Sequence, residues 1–300
     1  MIDTATLIYN LQADASVQPE DLIIILGPTA SGKTKLAVEL AKHMDAEIIS
    51  ADSRQVYRGM NIGTGKDLQE YGDVPYHLID IIDPGQKYHV AQFIEDFDEA
   101  YQRIRANGKR VIVCGGTGFY LESLLKARPY TLVPIDLSLR KNMADLSKEQ
   151  VHELLQHELV PEDFKIDYSS RKRMIRAYEI LQCLKRNPEI ELDPQPLYNA
   201  YIIGLNPNVD LRRERISKRL YARLEEGMID EVRDLLASGV SYTDLEYYGL
   251  EYKYISYLLK GEMDLNQMTQ KLETEIHRYA KRQMTFFRKM ERDGLKIHWV

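Results

Sequence analysis

Leu22-Ile23-Ile24-Ile25-Leu26-Gly27-Pro28-Thr29-Ala30-Ser31-Gly32-Lys33-Thr34 decides the architecture of this chain. Five consecutive aliphatic residues leave no polar face, the pattern of a strand covered on both sides. The helical pattern Leu36-Ala37-Val38-Glu39-Leu40-Ala41 follows. Between strand and helix stands G-x-x-x-x-G-K-T, the spacing of a phosphate-binding loop. Gly27 and Gly32 let the backbone curl round an anion with its N–H groups inward. The helix N-terminus adds partial positive charge, Lys33 a full one, and the Thr34 hydroxyl suits Mg²⁺. A glycine-rich turn that binds nothing is the competing reading, and the flanking strand and helix oppose it. Gly27, Pro28, Thr29, Ala30, Ser31, Gly32, Lys33 and Thr34 are thus expected to hold a di- or triphosphate, with Thr34 toward the metal.

Strand and helix patterns alternate outward from this loop. Glu47 to Ala51 reads as a second strand, ending at Asp52-Ser53-Arg54-Gln55. Open α/β sheets place their ligands at such carboxyl ends, although a lone aspartate there also caps turns. Gly59 to Lys66 reads as a glycine-rich loop over the site, and Tyr76 to Pro84 as a further strand. Phe93, Phe97, Tyr101 and Ile104 recur at helical spacing up to Gly108. Arg110 to Cys114 is a strand, followed by the turn Gly115-Gly116-Thr117-Gly118, where a motor ATPase would show an acid for Mg²⁺. That substitution speaks against ATP hydrolysis. Tyr201 to Leu205 returns as a strand, and Lys296 to Val300 reads as a closing one. A long helix is expected from about Asp264 to Arg292, with Leu265, Met268, Leu272, Ile276, Tyr279 and Phe286 inward.

These patterns predict an α/β fold, a P-loop NTPase-like parallel sheet flanked by helices with an inserted small all-α domain. Residues 1–20 read as a loose lead-in with one short helix. Residues 21–125 form the first part of the core, and 126–198 a helical insertion closed by a proline-bearing linker from Asn187 to Tyr198. Residues 199–300 form the second part of the core, with the C-terminal helices.

Composition bounds the partners. The chain has 300 residues, 46 acids against 40 bases and a net charge of −6, which argues against indiscriminate coating of nucleic acid. Cys114 and Cys183 are its two cysteines, so no disulfide framework or zinc knuckle is encoded. No apolar run approaches the roughly 20 residues of a membrane helix, and no secretory leader is visible. Yet three segments are rich in arginine: 171–176, 212–223 and 278–289. Each alone reads as a solvated helix face, but together with a phosphate loop they predict a local cationic cleft for a polyanion.

These residues carry a resemblance. The phosphate loop, Ile49-Ser50-Ala51-Asp52-Ser53, Met60-Asn61-Ile62-Gly63-Thr64, Leu78-Ile79-Asp80 with Asp83-Pro84, and Gly115-Gly116-Thr117 closely resemble the tRNA dimethylallyltransferases. So do Arg173-x-x-Arg176-Ala177-x-Glu179, Arg215-Ile216-x-x-Arg219, and Ala280-Lys281-Arg282-Gln283-x-Thr285-x-Phe287-Arg288. The resemblance spans nearly the whole chain in the family's order, and its length is that of the bacterial branch. The chain departs from the family at Gly249-Leu250-Glu251-Tyr252-Lys253, where Gly-Tyr-Arg/Lys-Glu/Gln is usual.

The resemblance implies transfer of a dimethylallyl group from dimethylallyl diphosphate to N6 of the adenosine 3′ of the anticodon, in tRNAs reading codons that begin with U. It makes Asp52 the general base, puts Thr117 beside it, and sets Arg219 and Mg²⁺ on the diphosphate. It places Asp52, Ser53, Arg54, Gln55, Thr117, Arg140, Lys172, Arg173, Arg176 and Arg282 on the tRNA anticodon stem-loop. A cytoplasmic monomer with no membrane contact is the accompanying expectation. The rival readings are a P-loop small-molecule or nucleotide kinase, a non-catalytic RNA-binding protein, and a transferase acting on free adenine nucleotides.

Overall fold

In the computed structural model, residues 4–14, 17–126, 129–131, 133–190 and 197–300 are described. Six parallel strands form one sheet: β1 (Leu22–Leu26), β2 (Ala46–Ser50), β3 (Tyr76–His77), β4 (Arg110–Gly115), β5 (Ala200–Gly204) and β6 (Ile297–Trp299), in the order β3-β2-β4-β1-β5-β6. Central β1 is buried along its whole length, as its five aliphatic residues require. Its register with β4 runs from Ile23 against Ile112 to Leu26 against Gly115, and β5 lies on its other side. Parallel pairing puts the carboxyl ends of β1, β2 and β4 on one edge, where the loops carrying Lys33, Asp52 and Thr117 emerge.

Helices cover both faces. On one, α1 (Thr4–Ala13) and α2 (Lys33–Met44) pack Leu7, Leu11, Leu36 and Leu40 against Ile23, Ile25 and Ile112. On the other lie α3 (Val90–Ala106), α4 (Gly118–Leu125) and α12 (Leu265–Arg292), with α8 (Val209–Glu225), α9 (Met228–Ala237), α10 (Tyr242–Tyr248) and α11 (Leu250–Leu259). Left-handed Gly227 and Gly239 lie just beyond the ends of α8 and α9.

Three expectations are corrected. The lead-in is less loose than predicted: α1 buries Leu7 and Leu11, and Thr4 Oγ1 donates to Glu39 at 2.8 Å. The strand expected from Tyr76 to Pro84 joins the sheet only at Tyr76 and His77, because Leu78 and Asp80 take left-handed conformations (φ 60° and 55°) that turn the chain out of it; beyond them Ile82 makes an isolated parallel bridge with Tyr57. Leu265 is exposed, since it opens α12 directly after the capping Asp264.

The chain divides into two compact units, residues 1–125 with 197–300, and residues 126–196. The second contains α5 (Leu137–Asn142), α6 (Lys148–Gln156) and α7 (Arg171–Arg186), with a small core around Val151, Met174 and Leu181. Residues 191–196 of the expected linker lie outside the described residues. The larger unit closes the gap in its own chain: the Tyr198 N–H donates to the Leu124 carbonyl at 3.1 Å.

Candidate active site

The phosphate loop binds itself into shape before any ligand enters. Ala30 and Gly32 take positive φ (60° and 88°), which curls the loop, and the Lys33 ammonium donates back to the Pro28 carbonyl at 2.9 Å. Gln283 of α12 clamps the loop from outside. Its side-chain oxygen accepts from the Thr29 N–H at 2.9 Å, and its amide nitrogen donates to the Gly116 carbonyl at 2.9 Å. Arg219 of α8 donates to the Thr29 hydroxyl. Buried Ser31 Oγ has no hydrogen-bond partner among the described residues. An orphaned buried hydroxyl in a phosphate loop suits an oxyanion or its cation.

Electrostatics agree. Burial holds the Lys33 ammonium below its ordinary range, and Arg219 adds to the effect. Burial, with Arg223 next to it, pushes the Arg219 guanidinium down to about 10. Two desolvated cations beside each other are stabilised by an anion between them.

Asp52 and Thr117 meet at the ends of β2 and β4. The Asp52 carboxylate accepts from the Arg54 N–H at 2.8 Å, an Asx turn that fixes its direction. Thr117 is tied to the same segment: its hydroxyl accepts from the Ser53 N–H at 3.1 Å, and its N–H donates to the Ala51 carbonyl at 3.3 Å. This approach requires Gly115, since a methyl group there would overlap the Ala51 carbonyl. Gln55 holds the next layer, accepting from Ser50 Oγ at 3.0 Å and donating to the Gly65 carbonyl at 3.0 Å.

A cavity of about 550 Å³ joins these parts. Thr29, Lys33, Thr34 and Arg219 line it together with Asp52 and Thr117, and Ser53, Arg54, Gln55 and Arg282 share the wall. The Arg54 guanidinium lies 4.9 Å from the Tyr247 ring centre, and that of Arg282 lies 5.9 Å from Tyr279. Glu251, from the segment that departs from the family pattern, also faces the cavity. Burial raises its carboxyl pKa, while Arg223 and Arg219 act in the opposite direction. Among the described residues no cluster of three His, Cys, Asp or Glu side chains could hold a metal alone. Mg²⁺, whose coordination is usually completed by substrate phosphates, does not need one.

The four predicted residues of the second unit behave differently from one another. Arg140 grips the buried Glu179 carboxylate through Nε and Nη2 at 2.8 Å each, and Arg176 reaches it at 2.5 Å. Arg176 also donates to the Val133 carbonyl at 2.6 Å. Arg173 is exposed and pairs with Asp167, and Lys172 is exposed. Sequence reading gave Gln283, Arg223, Tyr247 and Glu251 no part in the site, and it turned Tyr279 inward to the core, whereas that side chain is exposed and lines the cavity. Gln283 lies 254 positions from Thr29, so no local pattern marks the contact.

Comparison with known proteins gives the chain a family. A family model described as IPP transferase matches residues 55–290, and one described as isopentenyl transferase matches residues 20–71. The chain belongs to the IPP transferase family. A tRNA dimethylallyltransferase 2 of Bacteroides fragilis is 50% identical over 284 residues, covering 93% of this chain and 92% of its own. The solved tRNA isopentenylpyrophosphate transferase of Bacillus halodurans superposes with a TM-score of 0.68 at 34% identity, over 94% of this chain and 89% of that one. A eukaryotic dimethylallyltransferase, solved acting on tRNA, shares the fold (TM-score 0.71, 23% identity, 89% of this chain and 69% of that one). The parallel sheet and its flanking helices are therefore those of the IPP transferases.

Proposed function

We propose that this protein transfers the dimethylallyl group of dimethylallyl diphosphate to N6 of the adenosine 3′ of the anticodon in tRNA. One observation carries the reading: a single cavity contains both a diphosphate cradle and the Asp52–Thr117 pair. A phosphate loop joined to a carboxylate, with no second nucleotide site required, fits a reaction whose leaving group is diphosphate.

The adenine N6 bonds to C1 of the dimethylallyl group, and the bond from C1 to the diphosphate oxygen breaks with its electron pair leaving on diphosphate. The N6 proton passes to Asp52, whose direction the Arg54 N–H fixes. Lys33 and Arg219 stabilise the charge that grows on the departing oxygens. Thr34, with the orphaned Ser31 hydroxyl beside it in the loop, would hold Mg²⁺, which supplies further charge neutralisation at the diphosphate. The adenosine must leave its stack to enter such a cavity. Thr117, Ser53, Arg54, Gln55 and Arg282 line the cavity where that nucleotide would lie. Exposed Lys172 and Arg173 on the insertion are assigned to the tRNA backbone, and Arg140 and Arg176 to holding the insertion in shape for it. Among the described residues, no helix is long and apolar enough to cross a membrane.

The test is incubation with labelled dimethylallyl diphosphate and undermodified bulk tRNA, followed by nucleoside analysis. Label in N6-isopentenyladenosine from the anticodon loop is expected. Absence of labelled nucleoside, with phosphate transfer from ATP to a metabolite instead, would establish the kinase reading.

A further inference from the structure

The glycine-rich loop of residues 59–66 has its own anchor, away from the phosphate loop and the Asp52–Thr117 pair. Glu231, in the first turn of α9, directs its carboxylate at three successive backbone N–H groups. Oε2 accepts from Asn61 and Ile62 at 2.7 Å each, and Oε1 from Gly63 at 3.0 Å. A fourth donor, the Tyr252 hydroxyl of α11, reaches Oε1 at 2.7 Å. Successive amides converging on one anion form a nest, the geometry proteins use to bind free anions. Here the anion is supplied by the chain itself. Gly63 has no side chain because Tyr252 occupies the place: a methyl carbon would stand 2.6 Å from the ring.

The two segments that meet at Glu231 both form the cavity wall. Gly63, Thr64 and Gly65 line it from the loop, and Leu250, Glu251 and Tyr252 from α11. The loop passes the constraint inward at two places. The Gly65 carbonyl accepts from Gln55, three residues beyond Asp52, and the Gly65 backbone lies against the Arg223 guanidinium, which pairs with Asp67 at 3.1 Å.

We propose that Glu231 is a positioning residue for the transfer reaction: its carboxylate fixes the glycine-rich loop and α11 against each other, and through Gln55 holds the turn that aims Asp52. The proposal rests on the reading of Asp52 as the base. It demands a carboxylate and not merely a polar group. Four donors need acceptors on both side-chain oxygens, and a glutamine would turn an N–H₂ group toward two of them.

The experiment compares wild type with Glu231→Gln and Gly63→Ala in transfer assays to tRNA, alongside donor binding and amide hydrogen exchange. Transfer by the wild type together with its loss in Asp52→Asn establishes the reading on which the proposal rests, so a failure of the Glu231 and Gly63 variants is separable from a failure of that reading. For Glu231→Gln, exchange at residues 61–63 should quicken at least tenfold while the amides of β1 and β4 stay protected. Turnover should fall at least tenfold with donor affinity within about twofold, since Lys33 and the phosphate loop are untouched. Gly63→Ala keeps the carboxylate but wedges the loop off Tyr252, and should reproduce the loss of turnover. It also serves as the test if Glu231→Gln does not fold. Tyr252→Phe leaves three donors satisfied and should cost about twofold. Turnover within twofold of wild type in both Glu231→Gln and Gly63→Ala would overturn the proposal. So would a turnover loss that is matched by equal losses of donor affinity and of sheet protection, which a general loss of stability would give.

Discussion

Arg176→Ala separates two meanings of the arginines in the insertion, as contacts to tRNA or as clamps on its own fold. Glu179 is 1% exposed and accepts from Arg140, from Arg176 and from the Asp136 N–H at 2.8 Å. Stripping a buried carboxylate of its partner costs about 3–5 kcal/mol when the charge is left bare. Here Arg140 and the Asp136 amide remain, so the loss is closer to one charge-assisted hydrogen bond, about 1.5–3 kcal/mol. The bond from Arg176 to the Val133 carbonyl goes as well, though the Arg176 side chain is 26% exposed and water can replace part of it. The sum is about 2–3 kcal/mol, or a roughly 30- to 150-fold rise in the population of the opened helix. Amide hydrogen exchange over α7 reads this directly, because those amides exchange through opening of the unit. Arg173→Ala is the control: its pair with Asp167 is more than half exposed on both sides, so exchange should stay within about threefold of wild type. If Arg176→Ala left α7 within threefold of wild type while tRNA affinity fell, the clamp would be refuted and Arg176 would be a direct contact.

Three further outcomes follow from the same geometry. Asp52→Asn keeps the oxygen that accepts from Arg54 but cannot take a proton. Single-turnover transfer should drop by about 10²–10⁴-fold with the melting temperature unchanged, and retention of more than about a tenth of the rate would exclude Asp52 as base. Gln283→Leu orphans the buried Gly116 carbonyl at a cost of about 1–3 kcal/mol. Calorimetry should show the melting temperature lowered by roughly 2–10 °C, and an unchanged value would mean the clamp contributes nothing. The third outcome concerns acid. Burial pushes the Glu179 carboxyl up, but hydrogen bonds from Arg140, Arg176 and the Asp136 amide outweigh it and hold the group below its ordinary 4.5. A depressed carboxyl contributes stability above its unfolded-state value and loses it as pH falls through the folded one. Protection of the α7 amides, taken relative to their intrinsic exchange rate at each pH, should therefore fall on acidification below about pH 4.5, and Glu179→Gln should flatten that dependence.

Much of this was legible in the sequence where the chemistry is local. Leu22 to Leu26 reads as a buried central strand because nothing in it can face water, and Gly27 to Thr34 is informative because eight adjacent residues build the loop. The strand expected through Pro84 failed at Leu78 and Asp80, where the backbone turns left-handed so that the Asp80 carboxylate meets the buried Lys66 ammonium. An alternating apolar pattern carries no sign of such a partner. The arginines show the same limit. Arg219 and Arg173 look alike on a helical wheel, yet one lies on the phosphate loop and the other in solvent. Gln283 and Glu231 act through hydrogen bonds to backbone groups far along the chain, and Tyr252 through one to the Glu231 side chain, contacts that leave no periodic trace.

The bond between Tyr198 and Leu124 has a consequence for how such a protein can change. It brings the departure and return points of the inserted unit within one hydrogen bond, so the excursion is tied off at its base. Lengthening or shortening a loop whose ends are already joined changes closure entropy by only about 0.6 kcal/mol per doubling. The sheet therefore sets no register for what is carried there, and a different helical module, or a short Gly-Ser bridge, could be spliced in without moving a strand. The inserted unit can then be exchanged without touching the cavity, whose lining residues belong to the larger unit, with α4 and β5 as the socket.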